Sequence, residues 1–472
     1  MANLLESYKN RLAISESIHQ KSHNGAKMSA AKKLMIATVL NNTSKFMNEA
    51  FDSAAATQRS ALGDYKKFCL NISTVALPNL ILPELMLTQP MTSITGFVTY
   101  LKYTAGTTKG GVEAGKTVFG DVFKLGQMDE NRVNYTSDRI VEKIEADATK
   151  VVWGPVNLKA GFKFLDDKNN VIEGGSLEAD GTFVAPEGAT KIAYVYDNTI
   201  VPQKGANSAG GADIATLTAS MDAVQLYAHA RRIAVYYSQI AAFQAKTDYG
   251  YDLAEQLSTQ AQGELAYEID TEGVLMLVNG AEFNERLSFP AYEVAIKATV
   301  NGTYLSRSQY YEQFSEIIAR AKQVLYKRTQ KFAPNYMIVG SNVLTIMPYL
   351  KGWTAASVGA VNGPYMAGTV DGLKVFVSPA IDENEIVFGV NGSDLQTSAA
   401  VYAPYMAIVP TQLLGFADGT MSQGFSTMYD MKLLSTYDIV NGERVDAKEG
   451  ATGQYSYLLV KGAFDVDGKY VD

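Results

Sequence analysis

Apolar residues recur at helical spacing near the start of the chain. Leu4, Leu5, Tyr8, Leu12 and Ile18 form one such row, and Met28, Ala31, Leu34, Met35 and Val39 form another. Steps of three and four put these side chains on one face, so residues 2 to about 64 read as helices, broken at Asn24-Gly25. At Gly96 the period changes. Phe97, Thr99, Leu101 and Tyr103 alternate with Val98, Tyr100 and Lys102, which predicts strand from there to about residue 152. Residues 104–116 are rich in Gly, Thr and Lys and read as a loop tip. Residues 150–200 read as a small β-module. Short apolar runs at 156–164, 182–184 and 192–196 are separated by turns at 166–170, Glu173-Gly174-Gly175 and Asp180-Gly181.

Residues 201–213, with Gly205, Gly210 and Gly211, read as a linker. A long alternating strand is expected over 223–237. The strongest helix signal follows at 251–278, where Leu253, Leu257, Ala261, Leu265 and Ile269 repeat every four residues. Such a helix is about 40 Å long at 1.5 Å per residue. A second helix is expected over 308–331, with Tyr311, Phe314, Ile318, Ala321 and Leu325 as its core face. Ser306 or Ser308 is its cap, and Pro334 marks its end. Strands at 336–339, 373–377, 385–390 and 400–409 follow, with a short helix from Asn342. Residues 425–438 read as a returning strand and 439–472 as a tail with turns at Asn441-Gly442 and Asp467-Gly468. Helices beside a mixed sheet make the class α+β.

Composition narrows the function. The chain has 472 residues, too many for one ordinary core, and its 47% hydrophobic and 19% charged content suits globular folding. The 39 glycines and 28 tyrosines favour β-rich, turn-rich structure with amphipathic contact surfaces. A single cysteine, Cys69, excludes an intrachain disulfide and a cysteine zinc site. The run Leu34 to Leu40 is too short to span a bilayer, which needs about 20 residues. No signal peptide is recognised, so synthesis in the cytoplasm is expected. The net charge of -8 is uneven. Residues 1–70 carry ten basic and five acidic side chains, against 31 and 44 in the rest. A basic end on an acidic body fits contact with nucleic acid or an acidic partner, or simply solvated helices.

Candidate chemistry is sparse. Gly110-Gly111-Val112-Glu113-Ala114-Gly115-Lys116-Thr117 fits the phosphate-loop pattern Gly-x-x-x-x-Gly-Lys-Thr, and Asp197 after Tyr194-Val195-Tyr196 would be its magnesium aspartate. That pattern needs a buried strand before it and a helix after it. Here a half-exposed alternating strand precedes it, and Val118 to Phe123 has strand character. Gly110, Gly115, Lys116 and Thr117 are therefore read as a lysine-bearing loop tip rather than a nucleotide site. His19 and His23 stand four apart without carboxylate or cysteine company and read as surface polar residues; His229 reads as structural. Arg231-Arg232 either pairs with a neighbour's carboxylates or is solvated. No catalytic set, metal or cofactor is expected.

Two segments carry a resemblance. Pro78-Asn79-Leu80-Ile81 is followed by Gln89-Pro90-Met91 and Thr95-Gly96; far away, Tyr402-Ala403-Pro404-Tyr405 is followed by Gly424-Phe425 and Tyr429. In content and order they resemble the major capsid proteins of T-even-type myoviruses. The resemblance implies the Hong Kong phage major-capsid fold, with a small β-rich insertion domain. Its division here would be a helical N-terminal arm or pro-segment at 1–64 and an arm leading into the body at 65–95. An extended loop at 96–149 and the insertion domain at 150–200 come next. The loop's return and the peripheral domain with its spine helix 251–278 occupy 201–300, the axial domain 301–424, and the peripheral return strand and C-terminal tail 425–472. The matched residues Pro78, Asn79, Gln89, Pro90, Met91, Tyr402, Ala403, Pro404, Tyr405, Gly424 and Tyr429 would make arm and subunit contacts. The implied function is a shell of hexamers and pentamers around double-stranded DNA, in the virion, with scaffold, portal and decoration proteins as partners and no membrane. DNA would be touched without base readout. The alternatives are a pentameric vertex paralogue or, built on Lys116, a nucleotide-dependent assembly enzyme. The family's precursor protease cuts after Leu/Ile-x-Glu; Met47-Asn48-Glu49 is a poor match, and Leu82-Pro83-Glu84 falls inside the matched segment.

Overall fold

The computed structural model describes residues 2–22, 27–52, 70, 74, 77–106, 139–152, 154–197, 216–250, 253–298, 306–329, 332–356, 363–392, 397–411, 414–434, 436–440, 443–446, 455–456 and 458–466. They form two compact units, one of residues 1–98 and 224–472, the other of residues 99–223.

The larger unit is built on two sheets. One orders the strands Leu87–Thr88, Ala400–Pro410, Thr420–Leu433 and His229–Ser238, with Leu414–Gly415 added to Thr420–Leu433. The long helix Leu253–Asn279 packs on its inner face: Ala261, Leu265, Ile408 and Phe425 share one core cluster, with Ile233 and Val235 against it. The other sheet is mixed. Tyr336–Val339, buried at all four positions, lies parallel to Leu373–Val377 and antiparallel to Glu385–Gly389. A strand buried on both faces reads as an unbroken apolar run, which is what this segment is. The helix Ala30–Asp52, here the covering helix, lies on Ala400–Pro410, and its Met35, Ile36, Val39 and Leu40 enter the main core.

Four expectations need correction. The 439–472 tail contains the strand Leu459–Asp465, which lies between Glu385–Gly389 and Glu282–Phe283 inside the mixed sheet. Its Gly462 hides the signal: a Cβ there would stand 2.2 Å from the Leu287 carbonyl oxygen, so only glycine allows this approach. The 223–237 strand is two strands, Leu217–Tyr227 and His229–Ser238, parted at Ala228. The 308–331 helix is also two, Arg307–Glu312 and Phe314–Thr329. Of the two serines, Ser306 is the cap, in a capping box with Gln309. His19 is buried rather than on the surface, because Lys32 reaches it from the covering helix.

In the smaller unit, Arg139–Lys143, Lys191–Val195, Phe162–Leu165 and Val171–Ile172 pair in that order, so its sheet begins before residue 150. Ile140, Phe164, Phe183, Ile192 and Tyr194 form its core. Its turns are local. Asp166 Oδ1 accepts the Asn170 amide at 2.7 Å, and Asp180 Oδ1 accepts the Thr182 amide at 3.0 Å. The strands Thr95–Ala105 and Leu217–Tyr227 pair as a two-stranded ribbon.

Candidate functional site

The two matched segments, about three hundred residues apart in the sequence, lie side by side. Leu77–Asn79 makes one tight 3-10 turn and Leu82–Leu85 one helical turn with proline in its first positions. Leu87–Thr88 then runs parallel to Val401-Tyr402. The pairing continues past the strand, where the Gln89 amide donates to the Tyr402 carbonyl at 2.9 Å and the Met91 amide to Pro404 at 3.0 Å. Pro404 itself has no amide to give, which is tolerable here because its carbonyl carries the pairing.

The bend at Pro78 to Leu82 is held by a buried charge on each side. Lys32 Nζ, from the covering helix, donates to the Pro78 carbonyl at 3.0 Å and the Leu80 carbonyl at 3.3 Å; His19 Nδ1 lies 3.3 Å from it. Three ammonium protons thus meet three acceptors. On the opposite side Asp270, in the long helix, accepts the Ile81 amide at 3.2 Å and the Leu82 amide at 3.3 Å. Burial pushes the Lys32 ammonium down to about 8, with Glu84 and Asp270 opposing that shift. Burial pushes the Asp270 carboxyl up to about 7, held back by the two amides and by Lys32. One turn along, Gly273 leaves room for Leu82: a Cβ there would stand 2.2 Å from Leu82 Cδ2. A glycine within a long helix therefore has a packing reason.

The covering helix also fastens the second segment. Asn42 Nδ2 donates to the Met91 carbonyl at 2.7 Å and to the Tyr405 carbonyl at 3.0 Å, so one side chain ties both matched segments. Thr43 Oγ1 accepts the Ala407 amide at 3.3 Å. Glu84 pairs with Lys374 at 2.8 Å, and Asn391 Nδ2 donates to the Glu84 carbonyl at 2.9 Å. Tyr402 is buried with its ring 6.1 Å from that of Tyr429. The Tyr429 hydroxyl donates to Glu272 at 2.6 Å, and Arg231 Nη2 pairs with the other Glu272 oxygen at 2.6 Å. Arg231 thus has an acid partner in its own chain. Gly424 donates its amide to Thr411 Oγ1 at 2.8 Å, and a Cβ on it would crowd that threonine.

Of the sequence-predicted residues, Pro78, Met91, Tyr402, Ala403, Pro404 and Tyr429 are buried within one chain, while Gln89, Pro90, Tyr405 and Gly424 are half-buried. Asn79 closes the 3-10 turn. What these positions hold first is the segment to its own body. Gly110, Gly115, Lys116 and Thr117 lie outside the described residues, as do His23, Cys69 and the glycines at 205, 210 and 211. The sequence reading missed Lys32, Asn42, Asp270 and Gly273. Asp270 and Gly273 had a signal, an acid and a glycine flanking the apolar row of a long helix. Lys32 and Asn42 had none. The arrangement contains no nucleophile with a base, and no group of three metal-ligating side chains occurs among the described residues. It is a joint of buried polar contacts.

The family described as major capsid protein Gp23 matches residues 63–459. No curated protein matches the chain. Among solved structures, a chain of Mycobacterium phage Che8 is 13% identical with a TM-score of 0.33, covering 68% of this chain and 96% of its own. The capsid of Myoviridae phage XM1 is 8% identical with a TM-score of 0.33, covering 56% of this chain and 81% of its own. A virus-like particle from Pyrococcus furiosus is 12% identical with a TM-score of 0.28, covering 53% and 80%. TM-scores of this size establish no shared fold by themselves.

Proposed function

The chain belongs to the family of major capsid protein Gp23, and from that premise we propose that it is the structural unit of a phage head, closing hexamers and pentamers into an icosahedral shell around double-stranded DNA. It acts as a structural protein of the virion and catalyses nothing. The observation that carries this reading is the joint itself. Both family segments meet there, and the charges, amides and carbonyls around them serve to fix one strand against another.

The Hong Kong phage fold gives the elements their parts. The ribbon of Thr95–Ala105 and Leu217–Tyr227 belongs to the extended loop. The long helix Leu253–Asn279 is the spine of the peripheral domain, the mixed sheet is the axial domain, and the unit of residues 99–223 carries the insertion. A subunit of this kind makes heterologous contacts that close into rings. Many modest contacts then act together through effective concentration. Scaffold, portal and decoration proteins complete the head, and packaged DNA meets the inner wall without base readout. Synthesis takes place in the host cytoplasm. Pro78, Asn79, Gln89, Pro90 and Met91, with Tyr402 to Tyr405, Gly424 and Tyr429, set the angle at which the arm leaves the body.

Electron microscopy of the purified full-length chain, alone and with the scaffold protein of the same genome, tests the reading. Hollow shells, tubes or six-fold rings are expected. Dispersed monomers in both samples would overturn it, and closed pentamers alone would reassign the chain to the vertices.

A further inference from the structure

The helix Lys9–Ser22 rests on the body by a narrow stripe. Leu12, Ser15 and His19 are buried at steps of three and four, so they share one face. Tyr8 precedes them at the same spacing and packs half-buried against the main core. The stripe is apolar only in its first half. In the second half Ser15 Oγ donates to the Thr74 carbonyl at 2.9 Å, and His19 Nδ1 meets Lys32 Nζ of the covering helix at 3.3 Å. Beside the stripe, Glu16 pairs with Lys33 at 2.9 Å. Polar contacts hold this end of the helix, and one of them depends on where a proton sits.

An ammonium has three protons and accepts nothing. The Pro78 and Leu80 carbonyls take two of the Lys32 protons, and His19 Nδ1 takes the third. That nitrogen must offer a lone pair, so the docked imidazole is neutral and carries its proton on Nε2. A second ring proton would turn the contact into two donors and two positive charges face to face. Both side chains are buried, so neither can turn to water unless the helix moves. The half-charge at the helix C-terminus favours a cation, but a full charge at 3.3 Å outweighs it. Glu84 and Asp270 attract the Lys32 charge and Lys374 repels it, while Lys21 lies near the end of the same helix as His19. Asp270, which burial pushes up to about 7, holds its proton in mild acid. Acid therefore removes an anion from the site as it adds a cation.

We propose that His19 makes the helix Lys9–Ser22 an acid-released clamp on the joint, docked on the covering helix while the imidazole is neutral and detached once the ring takes a second proton. The docked state binds fewer protons than the released state, so docking strengthens as pH rises and is lost as pH falls. An ordinary imidazole makes that change near pH ~6.5. After release Lys32 keeps its bonds to the Pro78 and Leu80 carbonyls and turns its third proton to water, so the bend persists without its cover. The device belongs to the single chain and does not depend on the shell reading.

Asp270 by itself favours the folded chain at low pH, so global unfolding would mix two opposed contributions and the readout must be local. Hydrogen exchange of the full-length chain, followed by mass spectrometry at about pH 7.5 and about pH 5 and corrected for intrinsic rates, provides it. Protection across residues 9–22 is expected to fall about tenfold or more at the lower pH, with the long helix Leu253–Asn279 unchanged. Protection kept at both pH values, or lost in the long helix as well, overturns the proposal. His19→Gln offers Lys32 an amide oxygen and takes no proton, so this variant is expected to stay docked at both pH values. A wild-type loss in the variant would assign the sensing to another group and overturn the proposal. If His19→Gln is already undocked at the higher pH, the double variant Glu16→Gln/Asp270→Asn decides. Acid release as in the wild type sustains His19 as the sensor, and protection kept in acid overturns it.

Discussion

In the larger unit the polar groups that fix the fold are buried and reach across the chain. Asp270 takes amides 189 and 188 residues away, and Asn42 takes a carbonyl 363 residues away. In the smaller unit the turn carboxylates are exposed and local. Asp166 closes on Asn170, and Asp180 on Thr182. Both devices satisfy backbone groups, but water stands behind only one of them. When an exposed turn carboxylate is lost, solvent replaces it. When Asp270 is lost, the buried Ile81 and Leu82 amides lose their acceptor, and the Lys32 ammonium loses a favourable charge nearby. The smaller unit draws its stability from an apolar core and shapes itself with cheap turns. The larger unit makes its geometry depend on a few polar contacts that cannot be half made.

Asp270→Ala breaks the joint most severely, with an expected loss of about 3–5 kcal/mol in denaturant unfolding. A loss below about 1 kcal/mol would mean that water reaches the site after all. Next comes pH. The folded Asp270 carboxyl titrates at about 7 and the unfolded one at 3.8. Between those values the folded chain holds the extra proton, so the contribution of this group is full below 3.8 and is lost as pH rises through 7. Lys32 titrates at about 8 folded and 10.5 unfolded, so above 8 the unfolded chain holds the extra proton and stability recovers with pH. Glu84 and Lys374 face the same site. The decline between pH 4 and 7 is roughly 1–3 kcal/mol, and Asp270→Asn, which can still accept both amides, flattens it. An unchanged profile in that variant would remove Asp270 from the account.

Gly273→Ala sharpens the comparison from the packing side. The added methyl meets Leu82, and overpacking costs about 1–3 kcal/mol where Gly→Ala in a helix would otherwise stabilise. Asn42→Ala leaves the Met91 and Tyr405 carbonyls short of a donor and lowers stability by about 1–2 kcal/mol. Equal stability would show that the covering helix holds the segments by apolar contact alone. The smallest effect is expected from Asp180→Ala in the smaller unit. Its melting transition should stay in place, and a large shift would break the contrast drawn between the two units.

Periodicity alone located the long helix, the helix around Phe314 and the strands Tyr336–Val339, Leu373–Val377 and Glu385–Gly389 of the mixed sheet, because a buried face imposes its own spacing on the chain. It failed at Leu459–Asp465, whose Gly462 reflects a close approach by Leu287 rather than a turn. It also failed at Ala228, where one alternating run divides into two strands. The matched segments were legible as residues, yet not as neighbours. Nothing in Pro78-Asn79-Leu80 or Tyr402-Ala403-Pro404 says that Leu87–Thr88 pairs with Val401-Tyr402. Lys32 read as one more solvated lysine on a basic helix, and His19 as a surface histidine. A polar residue's own sequence surroundings do not reveal whether it is buried when its partners are backbone groups of a distant segment. The sequence by itself determined the class of the fold, its elements and its family, since these follow from local spacing and from residue order. Only the tertiary structure decided which charges are buried and which segments touch. Those depend on contacts between residues tens to hundreds of positions apart, and no local pattern encodes them.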